Sequence, residues 1–295
     1  MPQVVIENPV LNSPFDEPRR HFRFSDDGIT DEVVDARRVS SHFMPIPAPK
    51  KRGRQLAMDT EWTEDRLQEN EFINQVRGRV ALWRTGGRVG VTRTTRLLLD
   101  HWTDPERERR LFFCQIEALE TTIYLAEIAG KVGDAWIENH LREANRLANP
   151  DLYRIAFKMA TGSGKTVVMA MLIAWQALNK LANAQDARFS DTFLIVTPGI
   201  TIRDRLRVLL PQDPGNYYRA MDIVTAEQLE QLHQAKVLIT NFRAFLLREK
   251  VSVGKTTKSI LASSEATRPA RSPRRPTRWS AAFAATWAPR STSSF

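Results

Sequence analysis

One cysteine, Cys114, stands among 295 residues. No internal disulfide can form, and a zinc site built on thiolates is excluded. No apolar run reaches the ~20 residues that a membrane-crossing helix needs. The opening Met1-Pro2-Gln3-Val4-Val5-Ile6 lacks the basic start and long apolar stretch of a secretory signal. These absences point to the cytoplasm. Lysine vanishes after Ala262, where six arginines (Arg268, Arg271, Arg274, Arg275, Arg278 and Arg290) face one acid, Glu265. A net five of the formal +9 therefore sits in residues 262–295. Nucleic acid is the usual partner of so basic a chain, but the rest of the sequence is only mildly basic. Ser, Arg, Ala, Pro and Thr dominate 262–295 without an amphipathic period. That composition fits a disordered arm, or an out-of-frame reading of a GC-rich gene.

What is present centres on one stretch. Ile155–Phe157 has the length of a short buried strand and runs into Thr161-Gly162-Ser163-Gly164-Lys165-Thr166. Apolar residues at helical spacing follow: Val167, Val168, Met171, Leu172, Trp175 and Leu178. Strand, glycine turn and helix in that order are the context of a phosphate-binding loop. Such a loop turns its N–H groups toward a triphosphate, and glycine lets the backbone approach. The helix N-terminus adds partial positive charge. Lys165 can set an ammonium on the β/γ oxygens of ATP, and Thr166 can offer a hydroxyl to Mg²⁺. The alternative, a glycine-rich turn with an exposed lysine, does not account for both flanking elements.

Upstream, residues 1 to about 60 are rich in proline and charge, and they read as extended, surface-clinging chain. Within them, Lys50-Lys51-Arg52-Gly53-Arg54 reads as a solvated linker or a phosphate contact. A helix is expected from about Thr63, with Leu67, Phe72, Ile73, Val76, Val80 and Trp83 on one face and Gly86-Gly87 as its stop. Further helices are expected over Thr92 to Trp102, Cys114 to Ala129, and Ala135 to Leu147. In the last, Trp136, Ile137, Leu141 and Leu147 are in register. Asn149-Pro150-Asp151 closes this part.

Downstream, strands are expected at Thr192–Val196, Asp222–Val224 and Lys236–Ile239, each followed by a helix or turn signal. With Ile155–Phe157 they predict an α/β fold with a doubly wound parallel sheet and ligands at the carboxyl ends of its strands. Thr225-Ala226-Glu227-Gln228 has capping-box spacing. Gly254-Lys255-Thr256-Thr257 imitates the end of a second phosphate loop. Its upstream glycine position is Glu249 and no strand leads in, so it reads as a loop.

Four segments together, Phe113 to Leu119, Met159 to Val168, Val196 to Arg203 and Ile239 to Phe245, resemble the first motor lobe of a superfamily-2, helicase-like Res subunit of type III restriction enzymes. The likeness runs over about residues 1 to 261. Met159 stands where the generic phosphate loop has a glycine, a position that superfamily-2 motors relax. The resemblance implies a helical N-terminal region over 1–110, an incomplete RecA-like lobe over 111–261 and an aberrant tail over 262–295. It implies ATP on Thr161, Gly162, Ser163, Gly164, Lys165 and Thr166, with Thr166 on Mg²⁺ and Lys165 and Thr166 in the catalytic step. Gln115 either reads adenine, since a carboxamide both donates and accepts, or is an ordinary helix-surface glutamine. Double-stranded DNA would lie along Thr197, Pro198, Gly199 and Arg203, then Thr225, then Thr240, Asn241 and Arg243. Such contacts grip the phosphate backbone without reading sequence. For Thr225, plain helix capping explains the residue equally well. A DNA-methyltransferase modification subunit is an implied partner, and a membrane is not.

A motor of this kind also needs a strand ending in Asp-Glu to hold Mg²⁺ and orient water. No Asp-Glu or Glu-Asp pair follows Lys165. A second lobe with an arginine finger and a carboxylate-and-lysine nuclease motif are missing as well. The chain is thus expected to bind ATP and DNA with little turnover. The alternatives are a translocating ATPase and, less in keeping with Thr197-Pro198-Gly199, an unrelated phosphotransferase.

Overall fold

The helix α5 (Lys165–Ala182) is the post around which the chain is arranged. Val167, Val168, Ala170, Met171, Ile173, Ala174, Trp175, Ala177 and Leu178 are all buried, so apolar residues cover its whole circumference. A helix apolar all round must be enclosed by other elements. A computed structural model describes residues 8–25, 28–43, 67–148 and 152–245, and shows what encloses it. Met1–Ala244 forms one compact unit and Phe245–Phe295 a second; the account that follows is of the first.

On one side α5 meets α2 (Arg93–Thr103) and α3 (Phe113–Ile123). On another it meets the short helices α7 (Tyr217–Ala220) and α8 (Ala226–Leu232). Helix α1 (Glu71–Thr85) packs on α3 and contributes Val76, Val80 and Trp83 to the core. Helix α2 starts where Thr92 Oγ1 accepts the Thr95 N–H at 3.1 Å, and it buries Leu98, Leu99 and Trp102. Helix α3 runs into a π-helical turn, Tyr124–Ile128, in which Ala129 N donates to Tyr124 O at 2.8 Å. That turn points Glu127, 2% exposed, into the core. Its carboxylate accepts from Thr95 Oγ1, Trp175 Nε1 and Thr92 N at 2.7, 3.0 and 2.8 Å. A buried carboxylate so fully hydrogen-bonded ties α2, the π turn and α5 together.

Strands β5 (Thr192–Thr197) and β6 (Lys236–Asn241) pair in parallel, with Val196 opposite Thr240 and Thr197 opposite Asn241. Helices with a parallel strand pair make this an α/β fold. Helix α4 (Ala135–Ala148) buries Ile137, but Leu147, expected in register with it, is 73% exposed.

Other expectations are corrected. The first 60 residues are not all featureless extended chain: β1 (His21–Ser25) and β2 (Gly28–Val34) form an antiparallel hairpin. Further on, β3 (Ser41–Phe43) pairs with β4 (Leu67–Glu69). Leu67 thus belongs to a strand, α1 begins at Glu71 rather than near Thr63, and Ile73 is exposed. Ile155–Phe157 is not a paired strand; Ile155 and Phe157 are each 39% exposed. Asp222–Val224 is a turn instead of a strand. Ile223 and Val224 are buried there, but Asp222 takes a left-handed φ of 50°. Arg107 Nη2 donates to Met221 O and Asp222 O at 3.1 and 2.7 Å, and Trp102 Nε1 donates to Ile223 O at 2.8 Å. These donors occupy backbone oxygens that a sheet would otherwise use. Lys50–Arg54, Asn149-Pro150-Asp151, Gly254–Thr257 and the tail from 262 lie outside the described residues.

Candidate nucleotide loop and strand-end surface

The turn before α5 is built as a cradle. Gly162 and Gly164 both take left-handed φ, 80° and 78°, a region that glycine enters without cost. Gly164 is the N-cap of α5. Ser163 closes the turn by donating from Oγ to Ala160 O at 2.7 Å. Val167 N and Val168 N both reach back to Gly164 O. Among the described residues, the N–H groups of Gly162, Gly164, Lys165 and Thr166 meet no backbone acceptor. Unsatisfied amides at a helix start are the groups that bind anions. Lys165 is exposed and folds over the turn, donating from Nζ to Ala160 O at 2.8 Å and Met159 O at 3.3 Å. Thr166 lies half-buried in the first helical turn, and Thr161 is exposed at the turn's start.

Gln115 is neither on the helix surface nor free. It is 4% exposed. Its Oε1 accepts the Phe112 N–H at 2.9 Å and its Nε2 donates to Ser163 O at 3.2 Å. One carboxamide therefore caps α3 and latches that helix onto the glycine turn. Cys114, exposed beside it, places Sγ 3.9 Å from Ser163 O.

At the other candidate surface, parallel register brings Thr197-Pro198-Gly199 next to Thr240, Asn241 and Arg243. Thr197, 2% exposed, lies with Oγ1 3.0 Å from Gly199 O and 3.2 Å from Thr240 O, so its hydroxyl joins the two strand ends. Asn241 Oδ1 accepts from Ala244 N at 3.1 Å, and Thr240 is half-buried. Pro198 is exposed. Arg203 leans on neighbouring Asp204 at 2.8 Å. Arg243 is exposed, and among the described residues no carboxylate pairs with it. Thr225 caps α8 in a reciprocal box with Gln228, at 3.3 and 3.0 Å. No group of three or more His, Cys, Asp or Glu poised to hold a metal occurs among the described residues. Any Mg²⁺ here would rely on Thr166 and on the phosphates it bridges. No described helix is long and apolar enough to cross a membrane.

With this geometry in view, the comparisons fall into place. The family model for the type III restriction enzyme res subunit matches residues 108–265, more than half of the chain. The chain belongs to that family. Its matched region holds the Gln115 latch, the glycine turn, α5 and both parallel strands, so a helicase-like res-subunit domain is what these elements compose. No curated protein and no solved structure matches the chain. The residues that the sequence did not single out are Glu127, Arg107, Phe15 and Asp104. For Glu127, the signal was a carboxylate in an otherwise apolar helical stretch, Ile123 to Ile128.

Proposed function

We propose that the chain is the nucleotide- and DNA-binding part of a type III-like restriction translocase, working in the cytoplasm beside a modification subunit. Mg-ATP would lie on Gly162–Thr166. The observation that carries this is the pair of left-handed glycines ahead of an 18-residue buried helix, with first-turn amides unpaired and Lys165 above them. When ATP is bound, Lys165 would leave the Ala160 carbonyl for phosphate oxygens, and Thr166 would give Mg²⁺ one ligand among waters and phosphates. The rest of the lobe follows a RecA-like doubly wound plan, to which β5 and β6 belong. Double-stranded DNA would run over the ends of β5 and β6, with Pro198, Gly199 and Arg243 meeting phosphates and Thr197 holding the strand ends in line. Lacking an Asp-Glu pair after Lys165, the chain would bind ATP and hydrolyse little of it.

Equilibrium binding of ATP to the wild type and to Lys165→Ala, with hydrolysis followed in the presence and absence of DNA, tests the reading. Lys165-dependent binding with scant turnover is expected. Binding indifferent to Lys165→Ala removes the site, and DNA-stimulated hydrolysis above that control removes the inactivity.

A further inference from the structure

A cavity of about 200 Å³ opens between the N-terminal loop and the adjoining ends of α1, α2 and α3, and the phosphate-loop reading makes no use of it. Phe15 and Phe113 line it, with Arg84, Arg88, Arg110 and Asp104. Three guanidiniums suggest an anion site at first sight. Their partners argue otherwise. Arg84 Nε and Arg88 Nε hold the fully buried Glu120 at 2.5 and 2.7 Å, and Arg84 also reaches Glu17 at 3.1 Å. The charges left over are Arg110 and Asp104, one of each sign, both exposed. Arg110 only donates hydrogen bonds and Asp104 only accepts them. Asp104 Oδ1 takes the Glu106 N–H at 2.9 Å, which leaves Oδ2.

A balanced donor and acceptor beside aromatic rings suit a flat, neutral molecule with both kinds of group in its plane. The volume is below the ~300–1,000 Å³ of sites for larger ligands, so a single ring system is the natural occupant. Arg110 already stacks over Phe15, with its guanidinium carbon 4.6 Å from the ring centroid. A base entering between them would exchange that contact for stacking on both sides. The loop is held in place for the task. Phe113 N donates to Pro14 O at 2.8 Å, and Asn12 Oδ1 accepts from Arg19 N and Arg20 N at 2.9 and 3.1 Å.

We propose that this cavity binds the purine ring of an adenine nucleoside, with Phe15 and Arg110 on its faces and Asp104 accepting from its exocyclic amine. The proposal deepens the ATP reading above and rests on it for the delivery of the base by a nucleotide seated on Gly162–Thr166. It also gives the base a site other than the Gln115 carboxamide, which the chain itself engages at both ends.

The test is calorimetric titration of the full chain with ATP, inorganic tripolyphosphate, adenosine and unsubstituted purine riboside, for wild type, Phe15→Ala and Asp104→Ala. ATP should bind more tightly than tripolyphosphate. Phe15→Ala should weaken ATP about tenfold and leave tripolyphosphate unchanged. Asp104→Ala, at an exposed position that spares the fold, should erase the preference for adenosine over purine riboside. Equal losses for ATP and tripolyphosphate, no loss for either, or an unchanged adenosine preference in Asp104→Ala would overturn the proposal. Tripolyphosphate binding that ignores Lys165→Ala would sink the phosphate-loop reading instead, and adenosine binding lost in Phe15→Ala would still uphold the cavity.

Discussion

Alanine at Gly164 and at Gly162 should have unequal effects, and the difference isolates the Gln115 latch. Both glycines share a left-handed φ near 80°. Gly162 has nothing within 4 Å of a notional Cβ, so Gly162→Ala meets backbone strain alone, about 1–2 kcal/mol. At Gly164 a Cβ would collide with Nε2 of Gln115. That amide is buried and bonded at both ends. Pushing it aside leaves Ser163 O and the Phe112 N–H without their partner, which adds about 1–3 kcal/mol. Urea midpoints at constant m-value measure both variants. Gln115→Ala supplies the decisive control. With that side chain gone, Gly164→Ala should fall to the Gly162→Ala value, a coupling of about 1–3 kcal/mol in the double-mutant cycle. Equal costs for the two glycine variants in the wild-type background, or strict additivity with Gln115→Ala, would refute the argument.

Three further outcomes are expected. Arg243→Ala should weaken DNA binding alike for every sequence and lower the salt slope of log K by about 1, as read from binding isotherms between low and moderate salt. Burial raises the Cys114 thiol above its ordinary pKa, so maleimide labelling should be slow at neutral pH and accelerate as pH climbs beyond the usual thiol range. Mg-ATP should slow that labelling further through Ser163, and an unchanged rate would count against nucleotide on this turn. Glu127→Gln sets an NH₂ against the N–H of Thr92 or against the donors of Thr95 and Trp175, and should cost about 1–3 kcal/mol in chemical denaturation.

The legible parts of the molecule were those with local causes. The glycine turn and α5 follow from backbone freedom and a helical apolar period. The starts of α2 and α8 follow from Thr92 and from the Thr225–Gln228 box. The rest depended on chain far away. Whether Ile155–Phe157 pairs is decided by a neighbouring strand, which no local pattern encodes. Asp222–Val224 is as apolar and buried as expected, yet Arg107 and Trp102, over a hundred residues upstream, take its carbonyls. Gln115 was legible as a residue of interest but not as a latch, because its partner Ser163 lies 48 positions on. The hairpin of β1 and β2 did carry a signal, Asp27-Gly28 between alternating apolar residues, that the abundance of proline nearby obscured.

The parallel pair β5 and β6 has a practical consequence. Each strand is bonded along one side, and among the described residues neither has a strand neighbour on the other. Val196 and Leu238 add exposed apolar surface to these open flanks. Unclaimed peptide groups of this kind recruit the backbone of other molecules. Light scattering by this protein should therefore rise steeply with concentration, and a charged side chain placed at Val196 or Leu238 should keep it in solution.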